Sequence, residues 1–292
     1  MAHKVSRFGW LPDLPDQRDI PYIPSSSILK KLPSKIDLRD KMPPVMDQGT
    51  LGSCTAHVMA AVYQFDLTRQ KAREIVPSRL FIYYNQRATF QSTQSDSGAG
   101  FRNGLKSLCK QGVCPENMWP YEPHRFADRP ANSCFTEAQR HLAITYHRLP
   151  RKLTAFKACL AENRPFTCGF VAYETFESES VASTGKLGMP KKGEALVGGH
   201  AAVIVGYEEK TKRFLARNSW GKDWGTQGYF TLPYEYLLNE QLSNDFWVMS
   251  VLPARQLKQL MNGQPDPSTM NRPLVVDKNA NRLTESHFRV AY

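Results

Sequence analysis

A cysteine directly after a glycine-serine turn, in Gln48-Gly49-Thr50-Leu51-Gly52-Ser53-Cys54-Thr55-Ala56, is the first residue whose setting suggests chemistry. Apolar residues recur after it at Val58, Ala61, Val62 and Phe65, a helical spacing uninterrupted by proline until Pro77, so Cys54 is expected at a helix N-terminus. Unsatisfied N–H groups and partial positive charge there favour thiolate over thiol, and the flanking glycines let a substrate backbone come close. Taken alone, Cys54 reads equally well as a nucleophile and as a small buried apolar side chain. Two further segments bear on the choice. Gly198-Gly199-His200 opens an apolar run from Ala201 to Tyr207 and sets an imidazole at the mouth of a strand. Arg217-Asn218-Ser219-Trp220-Gly221 then supplies an amide, whose carbonyl can orient an imidazole, followed by a large aromatic at the end of another strand. A thiol, a base and an orienting group are what nucleophilic acyl chemistry requires.

Positioning these groups falls to two halves of different texture. Helical patterns are expected from about Gly52, after Pro77-Ser78 through Leu80, Phe81, Tyr83 and Tyr84, and from Phe101 through Leu105, Leu108 and Cys109 to a stop near Gly112. Beyond about residue 141 short apolar or alternating runs predict strands at Phe166 to Tyr173, Ala201 to Tyr207, Arg213 to Arg217, Gly228 to Leu232 and Phe246 to Leu252. One helix, capped by Thr154 and carrying Phe156, Cys159 and Leu160 on one face, is expected before them. Helices followed by strands imply an α+β fold or two lobes. Residues 1–35 contain Pro12, Pro15, Pro21, Pro24 and Pro33 and read as an extended, surface-lying extension, whereas 253–292 read as a loosely packed polar tail.

The 292 residues are 41% hydrophobic and 22% charged, enough for a sizeable core and inconsistent with a collagenous, coiled-coil or disordered chain. Their net charge of +11 comes from dispersed Lys and Arg without a basic tract or nucleic-acid motif, so no nucleic-acid partner is expected. No apolar run approaches the ~18 residues of a membrane span, and the first ten residues lack the ~7–15-residue apolar centre of a secretory signal. Six cysteines without a second pair beside Cys109 and Cys114 do not form a zinc pattern. If one thiol is chemically employed, five remain and at least one is unpaired.

Together, Gln48 through Cys54, His200 and Asn218-Ser219-Trp220-Gly221 resemble the papain-like C1 cysteine peptidases. His200 follows Cys54 by 146 residues, inside the ~130–150 of that family, and Asn218 by 164, beyond it, which points to modest loop insertions. The resemblance covers roughly 36 to 250, beginning at Leu32-Pro33-Ser34-Lys35-Ile36-Asp37-Leu38-Arg39, similar to the start of a mature C1 domain. It implies a two-lobe fold, a helical lobe over about 48–140 and an antiparallel β-barrel-like lobe over about 141–252, with the cleft between. It further implies Cys54 as nucleophile, His200 as general base and later acid, Asn218 as its orienter, and Gln48 with the Cys54 N–H as oxyanion donors. Trp220 would cover the imidazole contact, and Gly98, Ala99 and Gly199 would meet a peptide backbone. The implied activity is endopeptidase hydrolysis through a thioester, by a monomer acting on peptide or protein substrates with no metal or organic cofactor and no membrane insertion. A catalytically silent binding protein and a cysteine-dependent acyltransferase are the alternatives.

Several positions depart from the pattern of plant and animal members. Leu51 and Thr55 stand where those members have a cysteine and a tryptophan, so one familiar disulfide cannot form. These variants, with Gly9-Trp10-Leu11-Pro12-Asp13 and Gly112-Val113-Cys114-Pro115-Glu116, resemble the bacterial branch and imply an exported protein. Cys114 with Cys134 is the disulfide to expect, with Cys109, Cys159 and Cys168 as buried free thiols. Residues 1–35 are much shorter than the helical propeptides of papain and the cathepsins. As a short zymogen segment, Trp10 to Pro24 would lie across the cleft, since a peptide groove accepts an extended chain; packing on the back of the domain is the competing expectation.

Overall fold

The computed structural model describes residues 8–72 and 75–251, with backbone alone for 143 and 144; the tail expected over 253–292 lies outside the described residues. The chain begins as an extended segment, turns through helix α1 (Ser26–Lys30) and enters strand β1 (Lys35–Asp37). Helix α2 (Cys54–Arg69) is buried on nearly every side, including Met59, Ala60 and Tyr63 as well as the expected Val58, Ala61, Val62 and Phe65. Such a helix belongs in the interior rather than at a surface. Helices α3 (Arg79–Ala88) and α4 (Phe101–Lys110) pack on one side of it and the sheet on the other. Ser78 caps α3 by accepting the Phe81 N–H at 3.1 Å. The chain leaves α4 through Gly112, whose φ of +75° and closeness to the Ala138 carbonyl leave no room for a side chain.

Helix α5 (Asn132–Ala138) and strand β2 (Ala143–Arg148) follow, then helix α6 (Leu153–Ala161). Thr154 lies inside the first turn of α6 and is not its cap; Lys152 holds that position without a side-chain bond. Strands β3 (Phe166–Tyr173), β4 (Leu196–Glu208), β5 (Arg213–Arg217) and β6 (Tyr229–Pro233) form the antiparallel sheet, with helix α7 (Glu179–Thr184) in the β3–β4 connection. Helix α8 (Tyr234–Leu238), strand β7 (Ser243–Asn244) and strand β8 (Trp247–Val251) complete the described chain, β8 pairing with β2. The main sheet runs β6-β5-β4-β3-β7, with β1 beside the end of β4. Among the described strands it remains open rather than closing into the barrel-like form expected, because its edge strand β7 has two residues and does not reach β6.

All six cysteines are thiols. The Cys114–Cys134 disulfide expected from sequence is therefore not formed: the two buried side chains are hydrogen-bonded neighbours, and Cys134 also contacts the Met118 carbonyl. Beneath the sheet, Phe156 stacks on Phe166 at 5.2 Å between ring centroids and lies 4.6 Å from Phe246 and 5.8 Å from Phe214. Since Phe156 is wholly buried among these rings, Phe156→Ala is expected to destabilise the chain by ~3–5 kcal/mol, read as a lowered denaturation midpoint at an unchanged slope.

Candidate active site

Cys54 is the first residue of α2, and the turn before it is held from two directions. Asp96 accepts the Gly52 N–H at 3.0 Å, while the Tyr121 hydroxyl reaches Ser53 Oγ at 2.6 Å and the Gln48 carbonyl at 2.9 Å. Backbone N–H groups of Gly9, Ala201 and Thr55 face the Cys54 sulfur and favour its thiolate. Its fully buried setting nevertheless dominates, and desolvation pushes the thiol up to about 12. The Ala201 contact joins the start of α2 to β4 one residue beyond His200.

His200 lies on β4 opposite Phe170 of β3, and its Nε2 is 2.7 Å from Asn218 Oδ1. The same Oδ1 accepts the Ser219 N–H at 2.8 Å, which identifies that atom as an acceptor and makes Nε2 the donor. Nδ1 is then the basic nitrogen of the neutral ring. Asn218 is placed by its position just after β5 and by its own N–H, which donates to the Gly228 carbonyl at 2.9 Å. Trp220, with its ring centroid 4.9 Å from that of His200, and Phe170 and Phe176, each at 5.5 Å, surround the imidazole with aromatic surface.

Gln48 is wholly buried, and its side-chain amide and its own N–H are all bonded. Its Nε2 donates to the Leu51 carbonyl at 2.8 Å, its Oε1 accepts from Ser219 Oγ at 2.6 Å, and its own N–H donates to the Ser219 carbonyl at 2.8 Å. Ser219 therefore couples the amide before α2 to the loop that carries Asn218. This role was not apparent from sequence, although Ser219 lies inside the quoted motif; nothing in the sequence pointed to Tyr121.

The N-terminal segment runs across these groups rather than along the back of the domain. Gly9 accepts from the Ala99 N–H at 2.8 Å, Leu11 donates to the Ala99 carbonyl at 3.2 Å, and Trp10 donates to the Gly199 carbonyl at 3.0 Å. Trp10 and Ala99 thus pair in parallel. Gly98 does not bond the segment: its N–H goes to the Tyr83 hydroxyl at 3.1 Å, and its lack of a side chain leaves room for Gly9. The Phe8 ring stands 5.7 Å from His200 and 6.1 Å from Trp220. Contrary to the expectation of a surface-lying extension, Trp10 is only 5% and Asp13 9% exposed, because their side chains enter the protein while the intervening backbone stays extended.

Asp13 anchors this path. Its carboxylate accepts the Arg102 N–H at 3.0 Å and Trp247 Nε1–H at 3.1 Å, and its own N–H donates to Asp245 at 2.8 Å. Arg102 and Arg148 both bridge to Asp19 farther along the segment, at 2.5 and 3.2 Å, and Arg148 also reaches Asp245 at 3.2 Å. Burial, then the neighbouring Asp245 charge, raises Asp13 to about 6 against the opposing Arg102 charge; burial raises Asp245 as well. Among the described residues no cluster of His, Cys, Asp or Glu has the make-up of a metal site, and no helix is long and apolar enough to cross a membrane.

A family model for papain family cysteine proteases matches residues 32–242. An uncharacterized peptidase C1-like protein of Acanthamoeba polyphaga mimivirus is 39% identical over 271 residues, 84% of this chain and 87% of that protein. Xylellain, a cysteine protease from Xylella fastidiosa, is similar in structure with a TM-score of 0.79 and 40% identity, over 86% of this chain and 98% of its own. A procathepsin B from Trypanosoma congolense shares the fold at a TM-score of 0.69 and 17% identity, over 84% of this chain and 86% of its own.

The Asp13 anchor has a pH signature. Docked Asp13 holds its proton up to about pH 6, whereas a solvated aspartate loses it near 3.8, so the docked state binds more protons between those values. Its contribution is complete below the lower value and lost as pH rises through the upper one. The melting temperature of the full chain is therefore expected to fall, relative to Asp13→Asn, between about pH 4 and about pH 6.5. Parallel profiles for the two proteins would contradict the assignment.

Proposed function

The chain belongs to the papain family of cysteine proteases, and from that premise we propose that it is an endopeptidase using Cys54, His200, Asn218 and Gln48, held latent by its N-terminal segment. The observation that carries this reading is the imidazole whose tautomer Asn218 fixes, on the strand whose Ala201 N–H faces the Cys54 sulfur. His200 Nδ1 takes the thiol proton, and the thiolate attacks a peptide carbonyl carbon. The carbonyl π electrons move to oxygen, where the Cys54 N–H and the Gln48 side-chain amide meet the developing charge. Collapse of the tetrahedral intermediate breaks the C–N bond as the His200 imidazolium protonates the leaving amine. A water molecule, deprotonated by His200, then attacks the thioester and releases the acid and the thiolate.

The segment blocks this sequence in two ways. It takes the Ala99 and Gly199 backbone groups that would hold a peptide, and its covering keeps the thiol buried and neutral. The segment pairs in parallel with Ala99, and Gly9 lies so close to the Gly52 carbonyl that a side chain there would clash. Withdrawal would readmit water to the sulfur and lower its pKa.

Two outcomes test the reading. Cys54→Ala is expected to abolish peptide hydrolysis and labelling by an epoxide inhibitor while preserving the far-ultraviolet spectrum, and residual hydrolysis would refute the nucleophile assignment. Trp10→Ala removes a buried side chain from the docked state alone, a loss of ~3–5 kcal/mol, so the labelling rate of Cys54 should rise roughly 10²-fold or more over the full native chain. An unchanged rate would refute latency.

A further inference from the structure

His57 stands on the first turn of α2, three residues after Cys54, with only 5% of its surface exposed. Its Nδ1 lies 3.1 Å from the Ser53 carbonyl oxygen, an atom that can only accept, so Nδ1 carries the ring proton and donates it there. Burial, then the Arg79 charge, push this imidazole down to about 3, which keeps it neutral with that single N–H. The same carbonyl accepts the His57 backbone N–H at 3.1 Å, the ordinary first bond of the helix. Tyr121 acts on the neighbouring groups. Its one hydroxyl proton goes to the Gln48 carbonyl at 2.9 Å, so Ser53 Oγ donates its own proton to the Tyr121 oxygen at 2.6 Å. We propose that His57 and Tyr121 are positioning residues of the oxyanion hole: His57 aims the Cys54 N–H, and Tyr121 holds the Gln48 backbone, without either touching the substrate.

The assignment rests on the peptidase reading and adds to it the groups that hold its oxyanion donors. The Ser53 carbonyl and the Cys54 N–H are opposite ends of one planar trans peptide group, so fixing the direction of the carbonyl fixes where the N–H points. The helix secures that carbonyl with one bond, and the imidazole supplies a second. Two donors on the oxygen also draw electron density along the peptide and leave its N–H the stronger donor. The other half of the hole depends on Tyr121. The Gln48 side chain meets an oxyanion only if its backbone is fixed, and the hydroxyl that bonds this backbone is tied through Ser53 to the residue before Cys54. Tyr121 is itself anchored. Its N–H donates to Glu116 at 2.9 Å, and Glu116 pairs with Arg79 at 2.5 Å. The Arg79 guanidinium lies 4.7 Å over the phenol ring, which meets the His57 ring edge-to-face at 4.8 Å between centroids. One cluster therefore sets both donors, although they stand six residues apart in the chain.

The test uses the full chain carrying Trp10→Ala as the parent and adds His57→Phe, Tyr121→Phe or His57→Asn. Phenylalanine fills the volume of either ring without its donor, whereas the amide nitrogen of asparagine stands where Nδ1 does. Two quantities are read. One is kcat per site titrated by an epoxide inhibitor, which does not depend on the fraction folded. The other is the rate at which iodoacetamide alkylates Cys54, a substitution that develops no carbonyl oxyanion. Each Phe variant is expected to lower kcat about tenfold or more, short of the ~10²–10³ of a deleted oxyanion donor, with KM and alkylation within about twofold of the parent. His57→Asn should restore most of the kcat that His57→Phe loses. An unchanged kcat in a Phe variant would overturn that residue's role. Alkylation falling in step with kcat, or His57→Asn no better than His57→Phe, would overturn the positioning assignment while leaving the peptidase reading intact. Absence of both labelling and cleavage in the parent would overturn the peptidase reading and the assignment with it.

Discussion

One juxtaposition governs this structure: a thiol at the start of a buried helix lies against the strand that carries an imidazole, although 146 residues separate the two groups. Neither group is held by its own element alone. The Ala201 N–H ties β4 to the sulfur, the 2.7 Å bond to Asn218 fixes the imidazole, and Ser219 couples the Asn218 loop back to Gln48 ahead of α2. Each bond crosses from one part of the chain to another, so the site depends on the packing of α2 against the sheet and exists only in the folded state.

The second organising feature is electrostatic. Carboxylates from the segment and from the β7–β8 turn lie together with Arg102 and Arg148 as cationic partners, and the segment is thereby pinned by groups that are costly to bury singly. Two tryptophan N–H groups share in this, Trp10 towards Asp245 and Trp247 towards Asp13. Partners that relieve buried charge only when all are present would make docking an all-or-none event, in keeping with the proposed latency.

Much of this could be read before the fold was known. Cys54, His200 and Asn218 stand in short local motifs with glycines and strand ends beside them, and the apolar periods of α2, α3, α4, β3 and β5 match their observed places closely. Ala99 and Gly199 bond the chain's own N-terminal segment, whereas Gly98 only makes room for it. What stayed hidden depends on distant partners. Asp245 and Trp10 are 235 residues apart, and no local pattern marks an acid that will lie under an indole. Helix α5 was missed because Asn132–Ala138 has no apolar period, and the expected disulfide failed because proximity of two thiols in sequence motifs does not fix their oxidation state. Proline implied an extended N-terminus, which the structure shows ahead of helix α1 but not within it, and extension says nothing of where the side chains dock.

The account stands on proton exchange between Cys54 and His200 once the cover is withdrawn. Thiolate absorbance, titrated in the full chain carrying Trp10→Ala with and without His200→Ala, measures that exchange directly. Thiolate should persist well below the ~8.5 of an ordinary cysteine when His200 is present and disappear from that range when it is replaced. A thiol that titrates alike in both proteins would contradict it.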